Sequence, residues 1–106
     1  MIKFILRLIA VLSLMSCGVI DVHAEWVSME ITAYTHTGNP TASGEWPYVG
    51  GIAFNDVPLG TRVMIDDIWY VVNDRSGAIG IIDLFMDTYD ECIEFGRQYK
   101  QVYIER

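Results

Sequence analysis

Two aspartates, Asp74 and Asp83, stand nine positions apart in VVNDRSGAIGIIDLF, a run that is otherwise apolar and punctuated by glycine. Placing a carboxylate among Ile, Val and Phe is costly unless it is hydrogen-bonded or neutral, so the chain needs a reason to carry two. Ile81, Ile82, Leu84 and Phe85 flank Asp83, and desolvation by such neighbours raises the pKa of a carboxyl group. Asp74 stands instead beside Arg75. Two carboxylates in such unlike settings suit a proton donor and a charged partner, the division of labour that acid–base catalysis requires. A structural reading stands beside the catalytic one. An Asp between VVN and RSG is a common turn former whose carboxylate caps loop N–H groups, whereas no turn residue adjoins Asp83.

The surrounding sequence predicts the elements that must hold these residues. WVSMEITAYT, Trp26 to Thr35, alternates apolar and polar residues as a strand does. HTGNPTASGEWPYVGG follows, a loop rich in Gly, Pro, Ser, Thr and Asn, whose length points to function. Its Trp46 and Tyr48 are suited either to stacking on sugar rings or to capping the core. GIAFN is a short strand; Pro58, Leu59 and Gly60 form a turn into the next. Arg62 to Ile65 and Ile68 to Val72 then read as a hairpin joined at Asp66 and Asp67. IIDLF is strand-like again. From Asp87 the period changes to helical: Asp87 is the expected N-cap, Asp90 and Glu91 suit the positive helix start, Gly96 is the stop, and Cys92 and Phe95 share the inward face. QVYIE closes the chain as a strand. About six short strands with one late helix fit an all-β fold, a small closed barrel.

Composition narrows the setting. MIKFILRLIAVLSLMSCGVIDVHA has a basic start at Lys3 and Arg7, an apolar stretch from Leu8 to Ile20 and a small-residue exit at Val22-His23-Ala24, the three-part pattern of a secretory signal peptide. The apolar stretch is shorter than the span of about 20 residues that a membrane helix needs. LMSCG also resembles a lipoprotein processing site, with Cys17 as the lipidated residue. Cleavage after Ala24 is favoured, giving a secreted or envelope protein that meets a membrane only if lipidated at Cys17. Residues 1–24 are then a leader and residues 25–106 a single domain of 82 residues. The chain has 7 basic and 14 acidic residues; without Lys3, Arg7 and Asp21, 5 and 13 remain, a net charge of −8. Such a balance opposes binding to nucleic acid or an anionic membrane, both of which require clustered Lys and Arg. Cys92 alone remains of the cysteines, so no internal disulfide forms. Neither cysteine nor histidine spacing suggests a metal site.

TASGEW, GIAFNDVPLGTRVMI, VVNDRSGAIGIIDLF and CIEFGRQYKQVYI occur in an order that resembles the 3D (Asp-Asp-Asp) domain family. Rare lipoprotein A and the C-terminal part of membrane-bound lytic transglycosylase A are relatives of that family. The resemblance spans Met29 to Ile104, and four ordered pieces make it specific where any one is weak. It implies a six-stranded double-psi β-barrel and cleavage of peptidoglycan glycan strands, without metal or cofactor. Two of the three signature aspartates carry over, as Asp74 and Asp83. The first position holds Asn55, with Asp56 after it, and the spacing of Asp74 to Asp83 is slightly shorter than usual for the family.

On that resemblance Asp83 is the catalytic acid, protonating the oxygen between N-acetylmuramic acid and N-acetylglucosamine. It then acts as base on the muramyl 6-hydroxyl, giving a 1,6-anhydro product. Asp74 stabilises the developing positive charge or orients Asp83. Arg75 is placed to hold a substrate carboxyl or acetamido oxygen, Asn55 to supply an amide contact, Thr35, Thr41 and Ser43 to line the groove, and Trp46 to stack on a sugar. Peptidoglycan strands are the expected partner of a monomer. The alternatives are a non-catalytic wall-binding or wall-loosening module resembling expansin-type barrels, motivated by Asn55 and the small size, and a secreted inhibitor or interaction domain.

Overall fold

The computed structural model describes residues 25–105. The expected leader, with its exits at Cys17 and Ala24, lies outside the described residues. Six strands, β1 (Glu25–Tyr34), β2 (Gly51–Phe54), β3 (Arg62–Ile65), β4 (Ile68–Asp74), β5 (Ile81–Phe85) and β6 (Gln98–Glu105), close into a barrel in the order β1-β5-β2-β4-β3-β6. The pairs β1/β5 and β2/β4 are parallel and the remaining pairs antiparallel. One short helix, α1 (Tyr89–Phe95), lies between β5 and β6 and packs against β1.

Strand alternation sorts the side chains. Met29 and Ile31 of β1, Ile52 and Phe54 of β2, Val63 and Ile65 of β3, Val72 of β4, Ile82 and Leu84 of β5, and Val102 and Ile104 of β6 form one buried cluster inside the barrel. The outward residues of β1 are Trp26, Ser28, Glu30, Thr32 and Tyr34, and each meets a partner. Trp26 packs on Tyr103, Ser28 accepts from Gln101, Glu30 pairs with Arg97, Thr32 donates to Asp83 and Tyr34 donates to Asp74. β1 pairs with β6 over residues 25–31 and with β5 over 30–34, and β4 pairs with β3 over 68–71 and with β2 over 71–74, so both run from one flank of the barrel to the other.

Asp66 (φ 52°) and Asp67 (φ 68°) form the expected hairpin tip, both left-handed as the tight two-residue turn between right-twisted strands demands. Several bounds differ from expectation. β4 continues two residues to Asp74, and β6 begins at Gln98 because residues 98–101 pair with β1 before the chain reaches β3. The helix N-cap is Thr88 and not Asp87. Thr88 Oγ1 accepts from the Glu91 N–H while Glu91 reaches back to the Thr88 N–H, a reciprocal capping box. Asp87 lies one residue outside it and faces His36 at 3.9 Å. Gly96 (φ 66°) ends the helix as expected, and Cys92 and Phe95 are half-buried on its inner side.

Candidate functional site

Register brings the two aspartates together. Asp83 on β5 pairs with Thr32 of β1 on one side and Ala53 of β2 on the other, and Ala53 pairs in turn with Asp74 of β4. Thr32, Asp83, Ala53 and Asp74 therefore form one row across four strands on the outer face. Adjacent strands lie about 4.8 Å apart, which sets the two aspartate backbones roughly two strand spacings from each other. A β-bulge at the Ala53 position makes this possible: the register shifts between Ile52 and Ala53, so that Val72 and Asp74 oppose consecutive residues and Asn73 is left over.

The two carboxylates differ in what holds them. Asp74 accepts three hydrogen bonds. Oδ1 takes the backbone N–H of Ala42 (2.9 Å) and of Arg75 (2.8 Å), and Oδ2 takes the Tyr34 hydroxyl (3.2 Å). Asp83 accepts one, from Thr32 Oγ1 to Oδ1 at 2.9 Å. Burial raises the Asp83 pKa above the ordinary carboxylate value; the Thr32 bond opposes that rise and the Asp74 charge adds to it. The Tyr34 phenol is pushed above its usual value by burial first and by Asp74 second, so it stays a proton donor. Burial first, then Asp83 and Glu91, likewise raise the pKa of the Cys92 thiol.

The source of that desolvation differs from the one expected from sequence neighbours. Ile82 and Leu84 point into the barrel core, on the opposite side of β5 from Asp83. On its own side of β5 Asp83 is flanked instead by the strand neighbours Thr32 and Ala53.

The remaining candidate residues build the frame around the row. Arg75 Nη1 donates to the carbonyls of Phe54 and Val57, both at 2.7 Å, so its guanidinium turns away from Asp74 and pins the segment after β2. Asn55 spends both ends of its amide on Ser76: Nδ2 donates to the Ser76 carbonyl (2.9 Å) and Oδ1 accepts its N–H (2.8 Å). The polar loop folds over the end of β4, where Ala42 bonds Asp74 and the Ser43 N–H donates to the Asn73 carbonyl at 3.0 Å. Thr41 is buried within that loop; its hydroxyl donates to the Glu45 carbonyl and shares a bond with Ser43, both at 2.8 Å. The Thr35 hydroxyl is buried without a hydrogen-bond partner. Trp46 is 63% exposed and Tyr48 40%, so neither caps the core.

Three residues matter here that chain order did not single out. Thr32 and Tyr34 are the donors to the two aspartates, and strand alternation in WVSMEITAYT already put both on one face. Asn73 had no such signal: it is 2% exposed, its side chain has no partner, and it lies against the Gly51 α-carbon.

Among the described residues no group of three or more His, Cys, Asp or Glu is placed to hold a metal ion. The site as it stands offers a protonatable carboxyl and a fixed second carboxylate along one row, with the Tyr34 phenol donating into it from two residues further along β1. No protein-family model matches the chain, and no curated protein matches it.

Proposed function

We propose that the protein is an exported lytic transglycosylase that cleaves the glycan strands of peptidoglycan, with Asp83 as its acid and base. The carrying observation is the row Thr32-Asp83-Ala53-Asp74, in which one carboxyl group has a raised pKa and the other is fixed by three donors. A raised pKa keeps a proton on Asp83 for the leaving oxygen at a pH where an ordinary Asp has lost it. Thr32 holds Oδ1, which leaves Oδ2 to carry that proton.

In the first half-reaction Asp83 gives its proton to the oxygen bridging N-acetylmuramic acid and N-acetylglucosamine, and the glycosidic bond breaks. In the second, the Asp83 carboxylate removes the proton of the muramyl 6-hydroxyl as that oxygen attacks the anomeric carbon, closing a 1,6-anhydro ring and restoring the acid. Asp74 supports the positive charge on the sugar between the two steps. The four ordered segments resembling the 3D domain family, and a double-psi course for the six strands, belong to this reading.

Incubation of the domain with purified peptidoglycan sacculi, followed by analysis of soluble products, tests it. Anhydro-muropeptides are expected from the wild type and absent from Asp83→Ala. Sacculus binding without any anhydro product above that variant would overturn the enzyme reading in favour of an expansin-like binding module. That second reading draws on Asn55, which occupies the first signature position and serves as a clamp on Ser76.

A further inference from the structure

A cleft of about 420 Å³ opens beside the aspartate row, between the end of β5 and α1. Its walls include Tyr70, Leu84, Met86 and Phe95, and its volume falls among small-ligand sites, which run from about 300 to 1,000 Å³. Aromatic rings and a thioether give such walls an apolar, adaptable character. Asp87, Glu91 and Glu94 also line the cleft, and no Lys, Arg or His does. Glu91 Oε1 is engaged by the Thr88 N–H, and Asp87 faces His36 at 3.9 Å. Glu94, one helical turn from Glu91, has no partner among the described residues. An apolar slot bordered by three carboxylates, Glu94 among them without a partner, complements a cation on a hydrocarbon stem and repels an anion.

The cleft is continuous with the row. Phe85, a cleft residue, stands two positions after Asp83 on the same face of β5, and two residues of strand span about 7 Å. The Phe85 ring also packs edge-on against Tyr34, the donor to Asp74.

We propose that this cleft binds a primary ammonium on a short alkyl chain, the side chain of a lysine or diamino acid in a peptide carried by the glycan. The inference rests on the glycan-cleaving reading for the identity of that peptide. Neutral sugars leave an acidic domain with no charge to recognise; an amine on the attached peptide supplies one, on a chain whose methylenes fit the apolar walls.

NMR titration of the protein with Nα-acetyl-lysine methylamide tests this, with the Nε-acetylated lysine and the norleucine analogues as controls. Shifts at Leu84, Met86 and Phe95 are expected with the lysine probe. Its binding should be about three-fold or more tighter than either control and should weaken as salt rises. Glu94→Gln should erase the preference for lysine while leaving norleucine binding and the melting temperature in place. Equal binding of lysine and norleucine, or shifts away from these residues, would overturn the proposal. The readout needs no cleavage: anhydro product without cleft shifts sinks the cleft alone, and cleft shifts without anhydro product sink the cleavage reading alone.

Discussion

Two rows of side chains cross the outer surface of the barrel, and they share their first and last strands. Thr32, Asp83, Ala53 and Asp74 run from β1 to β4 across β5 and β2; Trp26, Tyr103, Met64 and Trp69 run from β1 to β4 across β6 and β3. The second row is an aromatic surface left open, with Trp26 63% and Trp69 38% exposed, Tyr103 between them and Arg62 stacked 4.3 Å from the Trp69 ring. In the first row both aspartates are half-buried, and the polar loop closes over Asp74, which it bonds through Ala42. Equivalent register thus delivers four aligned side chains on either flank, and the covering segments decide the chemistry. Only under cover does water retreat far enough to raise the pKa of a carboxyl group.

The largest effect that tests this contrast belongs to Asp83. Asp83→Asn should lower cleavage by about 100-fold or more in a product assay, since the proton donor is gone. The same variant should melt higher than wild type at neutral pH. The folded state holds the Asp83 proton more tightly than the unfolded chain, so wild-type stability falls as pH rises from the ordinary carboxylate value through the raised one. A neutral amide escapes that loss and can still accept from Thr32, and the difference in melting temperature should vanish in acid. A lower melting temperature for Asp83→Asn at pH 7 would remove burial as the cause of the shift.

Asp74→Ala comes next. It strips the Ala42 and Arg75 N–H groups and the Tyr34 hydroxyl of their acceptor, at a cost of about 2 kcal/mol in chemical denaturation. On the open flank Trp69→Ala should cost about 1 kcal/mol, through its contacts with Tyr103 and Arg62, and leave cleavage unchanged. A loss of activity there would make the two rows one functional surface. The smallest effect is that of Thr32→Val. It removes the bond that holds the Asp83 pKa down, so the pH–rate profile should move upward, by less than about one unit.

Much of this was readable from residue order. Alternation in WVSMEITAYT fixes which five side chains of β1 face outward, and Asp66-Asp67 marks the hairpin. The motif Thr88-Tyr-Asp-Glu91 is a capping-box signature that points to Thr88, although Asp87, an equally good cap by residue type, stands one place ahead. Strand pairing is what residue order leaves open. Asp83 acquires its surroundings from β1 and β2, while its chain neighbours Ile82 and Leu84 enter the core on the other side. Arg75 and Asn55 lie beside Asp74 and Asp56 in the chain, yet their side chains are spent on the carbonyls of Phe54, Val57 and Ser76. Local sequence describes a strand residue's own face poorly, because the nearest chain neighbours belong to the other face.

The Asn73 amide that rests on the Gly51 α-carbon has a consequence for how this sequence can vary. A methyl group at residue 51 would meet Asn73 Nδ2 at 2.5 Å, so in a randomised library Gly51 should tolerate no replacement while Asn73 stays. Shortening residue 73 to Ala or Ser would lift that veto. The two positions, 22 apart in the chain, should then drift as a linked pair, and that linkage would betray the bulge in sequence data alone.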